Sequence, residues 1–115
     1  MIPDEMAAAF DACGIPYKQE GWYPYTPPRE GAYATVVDAE RIIQDDYNNL
    51  HMSIHSYAVM LYSPEPTEAR MALRDSLLAN GVNVSDIVCN GNNPDTKLFE
   101  TVFGIEGEYK EKWSD

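Results

Sequence analysis

Positive charge is scarce in this sequence: eight lysines and arginines stand against nineteen aspartates and glutamates, a net charge of −11 over 115 residues. Proteins that grip nucleic acid neutralise phosphates with clustered basic side chains, so DNA or RNA binding is not expected here. Excess negative charge ordinarily serves solubility. Cysteine is scarce as well. Cys13 and Cys89 form no CxxC pair, and two reduced, partly buried thiols are expected rather than a disulfide framework. No uncharged apolar run approaches the ~20 residues that span a bilayer. The opening Met1-Ile2-Pro3-Asp4-Glu5 is acidic where a signal peptide needs a basic region, and no apolar stretch follows. The chain is therefore expected to be made and kept in a cytoplasm, away from membranes. Repeats and low-complexity segments are missing too, and the length suits one domain over residues 1–115.

The patterns of catalysis are equally thin. There is no Gly-x-Ser-x-Gly elbow, and Cys13 falls at the end of an expected helix rather than at its N-terminus, where a thiolate would be favoured. The glycine at Cys89-Asn90-Gly91-Asn92-Asn93 lacks the lysine and following helix of a phosphate loop. Acidic pairs such as Glu106 with Glu108 read as a solvated face. His51 and His55, beside Asp45 and Asp46, have helical zinc-ligand spacing. The segment alternates as a strand, however, which sets the two side chains about 13 Å apart at ~3.3 Å per residue. Two histidines facing solvent or an interface are expected, with no metal, no cofactor and no catalytic residue.

What is present reads as a small α+β domain. A helix is expected over Pro3 to Cys13, with Met6, Phe10 and Cys13 on one face and Gly14 and Pro16 ending it. Tyr17 to Tyr25, interrupted by glycine and proline, suits an edge strand or an extended arm. Gly31 to Asp38 reads as a strand, Ala39 to Asn49 as a polar loop, and Leu50 to Ser63 as the strongest strand, its second half covered on both faces. Ser63 to Thr67 starts a helix over Glu68 to Asn80, stopped by Gly81. Val82 to Cys89 and Lys97 to Tyr109 complete the set around the turn cluster Asn90 to Asp95. The order α-β-β-β-α-β-β implies a mostly antiparallel sheet with two helices packed on one face. Periodicity places Phe10, Val59, Leu61, Leu73, Leu77, Phe99 and Phe103 in the core.

Eight tyrosines are many for this length, and such amphipathic rings are enriched at interfaces. Trp22, Tyr23 and Tyr25 cluster in the proline-bounded arm, suited either to covering the core edge or to docking on a neighbour. The ordered series resembles the tail-completion, or tail terminator, proteins of long-tailed siphophages. The resemblance is carried by the helix ending in Gly14-Ile15-Pro16-Tyr17, the strand Tyr33 to Asp38, the hairpin loop through Asp45-Asp46, the strand Ser56 to Ser63, the helix Glu68 to Gly81 and the strand Lys97 to Glu106. It implies a non-enzymatic virion subunit of the tail or neck, made in the host cytoplasm. Such a subunit closes with itself as a ring, usually a hexamer, on the tail tube protein, and it meets the head-tail connector or stopper protein. DNA passes its channel without specific binding. Ring contacts are expected through Trp22, Tyr23 and Tyr25 of the arm and Arg41, Asp45, Asp46 and Tyr47 of the loop. The alternatives are a head-completion or adaptor protein of the neck and an acidic inhibitor that mimics DNA.

Overall fold

The computed structural model of the chain describes residues 2–22, 25–28, 30–44, 47 and 50–112, the side chains of His51 and Lys112 excepted. The first helix, α1 (Asp4–Cys13), follows Pro3, whose ring forbids a preceding helical turn, and carries Asp4 and Glu5 where the helix dipole favours negative charge. It ends because Gly14 turns left-handed (φ 73°) and its N–H closes on the Phe10 carbonyl. Three short or long strands follow: β1 (Tyr17–Gln19), β2 (Tyr33–Gln44) and β3 (Leu50–Ser63). The second helix, α2 (Glu68–Ala79), leads to β4 (Val84–Asn92), β5 (Phe99–Ile105) and β6 (Tyr109–Lys112).

The sheet order is β1-β2-β3-β5-β4, and β6 lies in line with β5 along the same edge of β3. Among the described residues only β1 with β2 is parallel; every other pair is antiparallel. This is the expected α+β arrangement, α-β-β-β-α-β-β, with one short strand, β6, added after it. The anticipated last strand, Lys97 to Tyr109, divides at Gly107, whose φ of 96° only glycine adopts freely.

One cluster of apolar side chains joins the two helices to one face of the sheet. Met6, Ala9 and Phe10 of α1, Leu73 and Leu77 of α2, and Ala34, Val36, Val59, Leu61, Phe103 and Ile105 of the strands are buried in it. Six of the seven anticipated core residues belong to it, whereas Phe99, at the open end of β5, is only half-buried. Phe10 stacks on Tyr17 at 4.4 Å between ring centres, and Ser76 Oγ donates to the Ala9 carbonyl at 2.6 Å, pinning α2 to α1.

Three other expectations need correction. The polar loop is shorter than Ala39 to Asn49: residues from Ala39 to Gln44 continue β2, each paired with β3. Their polarity reflects an edge position exposed on both faces, not a turn. The second half of β3 is central but is covered by helices on one side only. Tyr57, Val59 and Leu61 are buried, while Ala58, Met60 and Tyr62, on the opposite side, remain partly exposed. Finally, Cys13 is half-buried but Cys89 is exposed, and both are free thiols.

Candidate functional site

Two places combine unusual side chains with unusual geometry. The first is the arm and the ribbon tip singled out by sequence. Trp22 packs edge-on against Tyr33 (5.4 Å) and donates its indole N–H to the Ala34 carbonyl at 3.1 Å. The Tyr25 N–H bonds back to the Trp22 carbonyl, and the Lys18 ammonium lies 4.4 Å from the Tyr25 ring centre and 5.9 Å from that of Trp22. Tyr25 is 63% exposed. The arm, α1 and β1 enclose a shallow cavity of about 630 Å³ lined by Phe10, Ile15, Tyr17 and Trp22.

Tyr47 sits at the other end of the molecule, 85% exposed between β2 and β3. Arg41 belongs to β2 rather than to a loop, paired in register with Ile54 and 3.9 Å from Glu108. Tyr23, Asp45 and Asp46 lie outside the described residues. Arm and tip are thus held at opposite ends of the long β2–β3 hairpin, about 36 Å apart along a strand of this length. They are not one site within a chain.

The second place was not found by sequence. Antiparallel pairing of β2, β3 and β6 brings Asp38, Glu40, His55, Tyr109 and Glu111 together on the helix-bearing side of the sheet. His55 Nδ1 lies 2.7 Å from Asp38 Oδ2, and its Nε2 is 3.6 Å from both Glu40 and Glu111. The side chains of His55 and Asp38 are only 15% and 12% exposed. The expectation that the histidines face solvent or an interface therefore fails for His55, which closes a clasp between three strands. Because a carboxylate only accepts, the short contact fixes the proton on Nδ1. Asp38 Oδ1 is buried without a hydrogen-bond partner, while its backbone N–H donates to Glu20 at 3.0 Å.

Tyr57 lies against the His55 ring, 6.2 Å between centres with the ring planes nearly parallel, and meets Tyr109 edge-on at 5.4 Å. Burial raises the Tyr57 hydroxyl above its ordinary pKa, and the Asp38 charge adds to the shift. Burial raises Tyr109 as well, reinforced by the neighbouring Glu5. Beside the clasp is a cavity of about 390 Å³ that Ile2 and Pro3 help to line. No group of three or more His, Cys, Asp and Glu side chains among the described residues is arranged to hold a metal ion.

No known family, curated protein or solved structure matches this chain in the comparisons made with them. The clasp was missed in the sequence because Asp38 and His55 are 17 residues apart, and only the register of β2 on β3 joins them. The helix-side alternation Tyr57, His55, Ser53 was the available signal. Among the described residues, no helix is long and apolar enough to cross a membrane.

Proposed function

We propose that the protein is a structural subunit of a tailed-bacteriophage virion, a tail-terminator-type ring former that caps the tail tube and joins it to the head connector. The observation that carries this reading is the β2–β3 ribbon. From Ala39 to Gln44 almost every residue is exposed, and Ile42, Tyr47 and Leu50 hold large apolar side chains in solvent. Among the described residues only the short β6 backs this ribbon, along the β3 edge, and large apolar side chains held in solvent at its outer part have little reason to persist there unless something receives them.

The aromatic arm at the opposite end supplies a second, unlike surface. Head-to-tail contacts that close into rings need two such surfaces on each subunit. Trp22 and Tyr25 of one copy would then meet Arg41 and Tyr47 of the next, and the order of elements agrees with the siphophage resemblance. Nineteen carboxylates per chain would keep passing DNA from adhering to a ring wall, and no catalytic role is part of the proposal.

Mutual repulsion among such acidic subunits opposes closure, so assembly should strengthen as added salt screens it. Light scattering across a salt series and electron cryomicroscopy of the tail neck test the reading. A chain that stays monomeric in every salt and is absent from the neck would defeat it.

A further inference from the structure

Among the described residues no helix covers the side of the sheet away from α1 and α2, which is bounded by Trp22 packed on Tyr33 at one end and by the buried Ile54 at the other. Strand alternation and the observed registers place the side chains there in transverse rows. Val37, Ala58 and Gly104 form the middle row. Thr35, Met60 and Val102 lie in the next row toward one end, and Tyr33, Tyr62 and Glu100 in the row beyond. Toward the ribbon, Ala39 and Ser56 come first, followed by Arg41, Ile54 and Lys110.

This face is nearly balanced in charge where the molecule as a whole is acidic, Arg41 and Lys110 standing among its apolar side chains. Its carboxylates are Glu100, held by Asn90 at 2.8 Å, Glu108, near Arg41, and Asp86, whose side chain lies over Gly104. Val37 and Val88 are 36% and 46% exposed upon it.

The rows are complementary to themselves when reversed. We propose that two copies of this chain pair face to face through this side of the sheet, about a two-fold axis crossing the strands at the Val37–Ala58–Gly104 row. That operation sets Lys110 of each copy against Glu100 of the other, and Arg41 against Tyr33. It also sets the bulky Met60 row against the small Ala39 and Ser56. An axis running along the strands would instead put Arg41 opposite Lys110, so charge selects the transverse axis.

One like-charge contact remains, between the two Asp86 carboxylates, which lie over Gly104 in the axis row and hold the affinity down. The footprint, about 26 Å long by about 19 Å wide, is roughly 500 Å². That falls below the ~800 Å² per partner of a standard interface, so a weak, micromolar dimer is expected. The contact borders the arm, since Trp22 packs on Tyr33, and shares Arg41 with the ring reading, but its deciding charges, Lys110 and Glu100, belong to neither arm nor ribbon tip, so it does not depend on that reading.

Sedimentation velocity of the full chain, from about 1 µM to about 1 mM, tests it. The wild type should show a monomer–dimer equilibrium. Val37→Lys should abolish it, and Glu100→Lys or Lys110→Glu alone should weaken it about tenfold or more. The double charge swap should restore the wild-type affinity to within about threefold, and Asp86→Asn should tighten it. Circular dichroism confirms folding of each variant. A wild type monomeric throughout, or a dimer indifferent to the single swaps, overturns the proposal. So does a double swap that fails to restore pairing. Larger assemblies that respond to arm or ribbon changes but not to these charges would overturn it while leaving the ring reading intact.

Discussion

Glu65 illustrates how a single side chain sets a boundary. Thr67 precedes α2 but makes no side-chain cap; Glu65 takes that role, accepting from the N–H groups of Thr67, Glu68 and Ala69. Those bonds, that from Ala69 foremost, hold its carboxyl below the ordinary value of 4.5. A lowered folded-state pKa contributes stability that is present above the unfolded value and lost as the pH falls through the folded one. Glu65→Ala should therefore cost about 1 kcal/mol near neutrality, and the difference from wild type should shrink below pH 4.5 in acid unfolding. Tyr57 and Tyr109 run the other way. Their raised values keep the fold at full stability below about pH 10 and weaken it as the pH climbs toward them. Absorbance titration should show part of the tyrosine signal ionising late. In the core, Leu73→Ala or Phe103→Ala should each cost about 2–5 kcal/mol in urea unfolding, since both side chains are fully buried. Leu73 was legible from helical spacing alone. The Asp38–His55 pair was not, because its chemistry depends on which residue of β2 faces which residue of β3.

Among the elements, β3 has the most partners: β2 along one edge, and β5 and β6 end to end along the other. Its bounds, Leu50–Ser63, match the sequence expectation because hydrophobic content and turn signals agreed at both ends. The end of β2 was misjudged because Glu40 and Arg41 read as loop residues, although an edge strand far from the core tolerates charge on both faces. Beyond the Gly107 turn, β6 is held by four paired residues and by the contact between His55 and Glu111. His55→Gln should cost about 1–3 kcal/mol by removing a largely enclosed, charge-assisted contact. Hydrogen exchange in Tyr109 to Glu111 should quicken before that of β5; equal rates would show that the clasp does not secure β6. Replacing residues 45–49 with a two-residue Asn-Gly turn should change stability by less than about 1 kcal/mol, since Tyr47 is 85% exposed. In a salt series the same variant should no longer assemble.

At the scale of the whole molecule, the parallel pairing of β1 with β2 carries a kinetic consequence. Antiparallel neighbours are joined by tight turns, but parallel ones oblige the chain to travel back before it pairs. The return lies between Gln19 and Tyr33, its described residues include no helix, and the Trp22 indole anchors it through the Ala34 carbonyl. The β2–β3 and β4–β5 hairpins close over short loops, while α1 and β1 have no strand partner until β2 exists. A folding order follows in which the antiparallel sheet and α2 form first and the N-terminal unit docks last, since loop-closure entropy delays distant contacts. Trp22→Ala should leave the early phase of refolding unchanged and slow only the final one, followed by pulsed hydrogen exchange at the Glu20 and Ala34 amides that join β1 to β2. During synthesis the same order makes α1, which emerges before the sheet it packs on, one of the last elements to find its place.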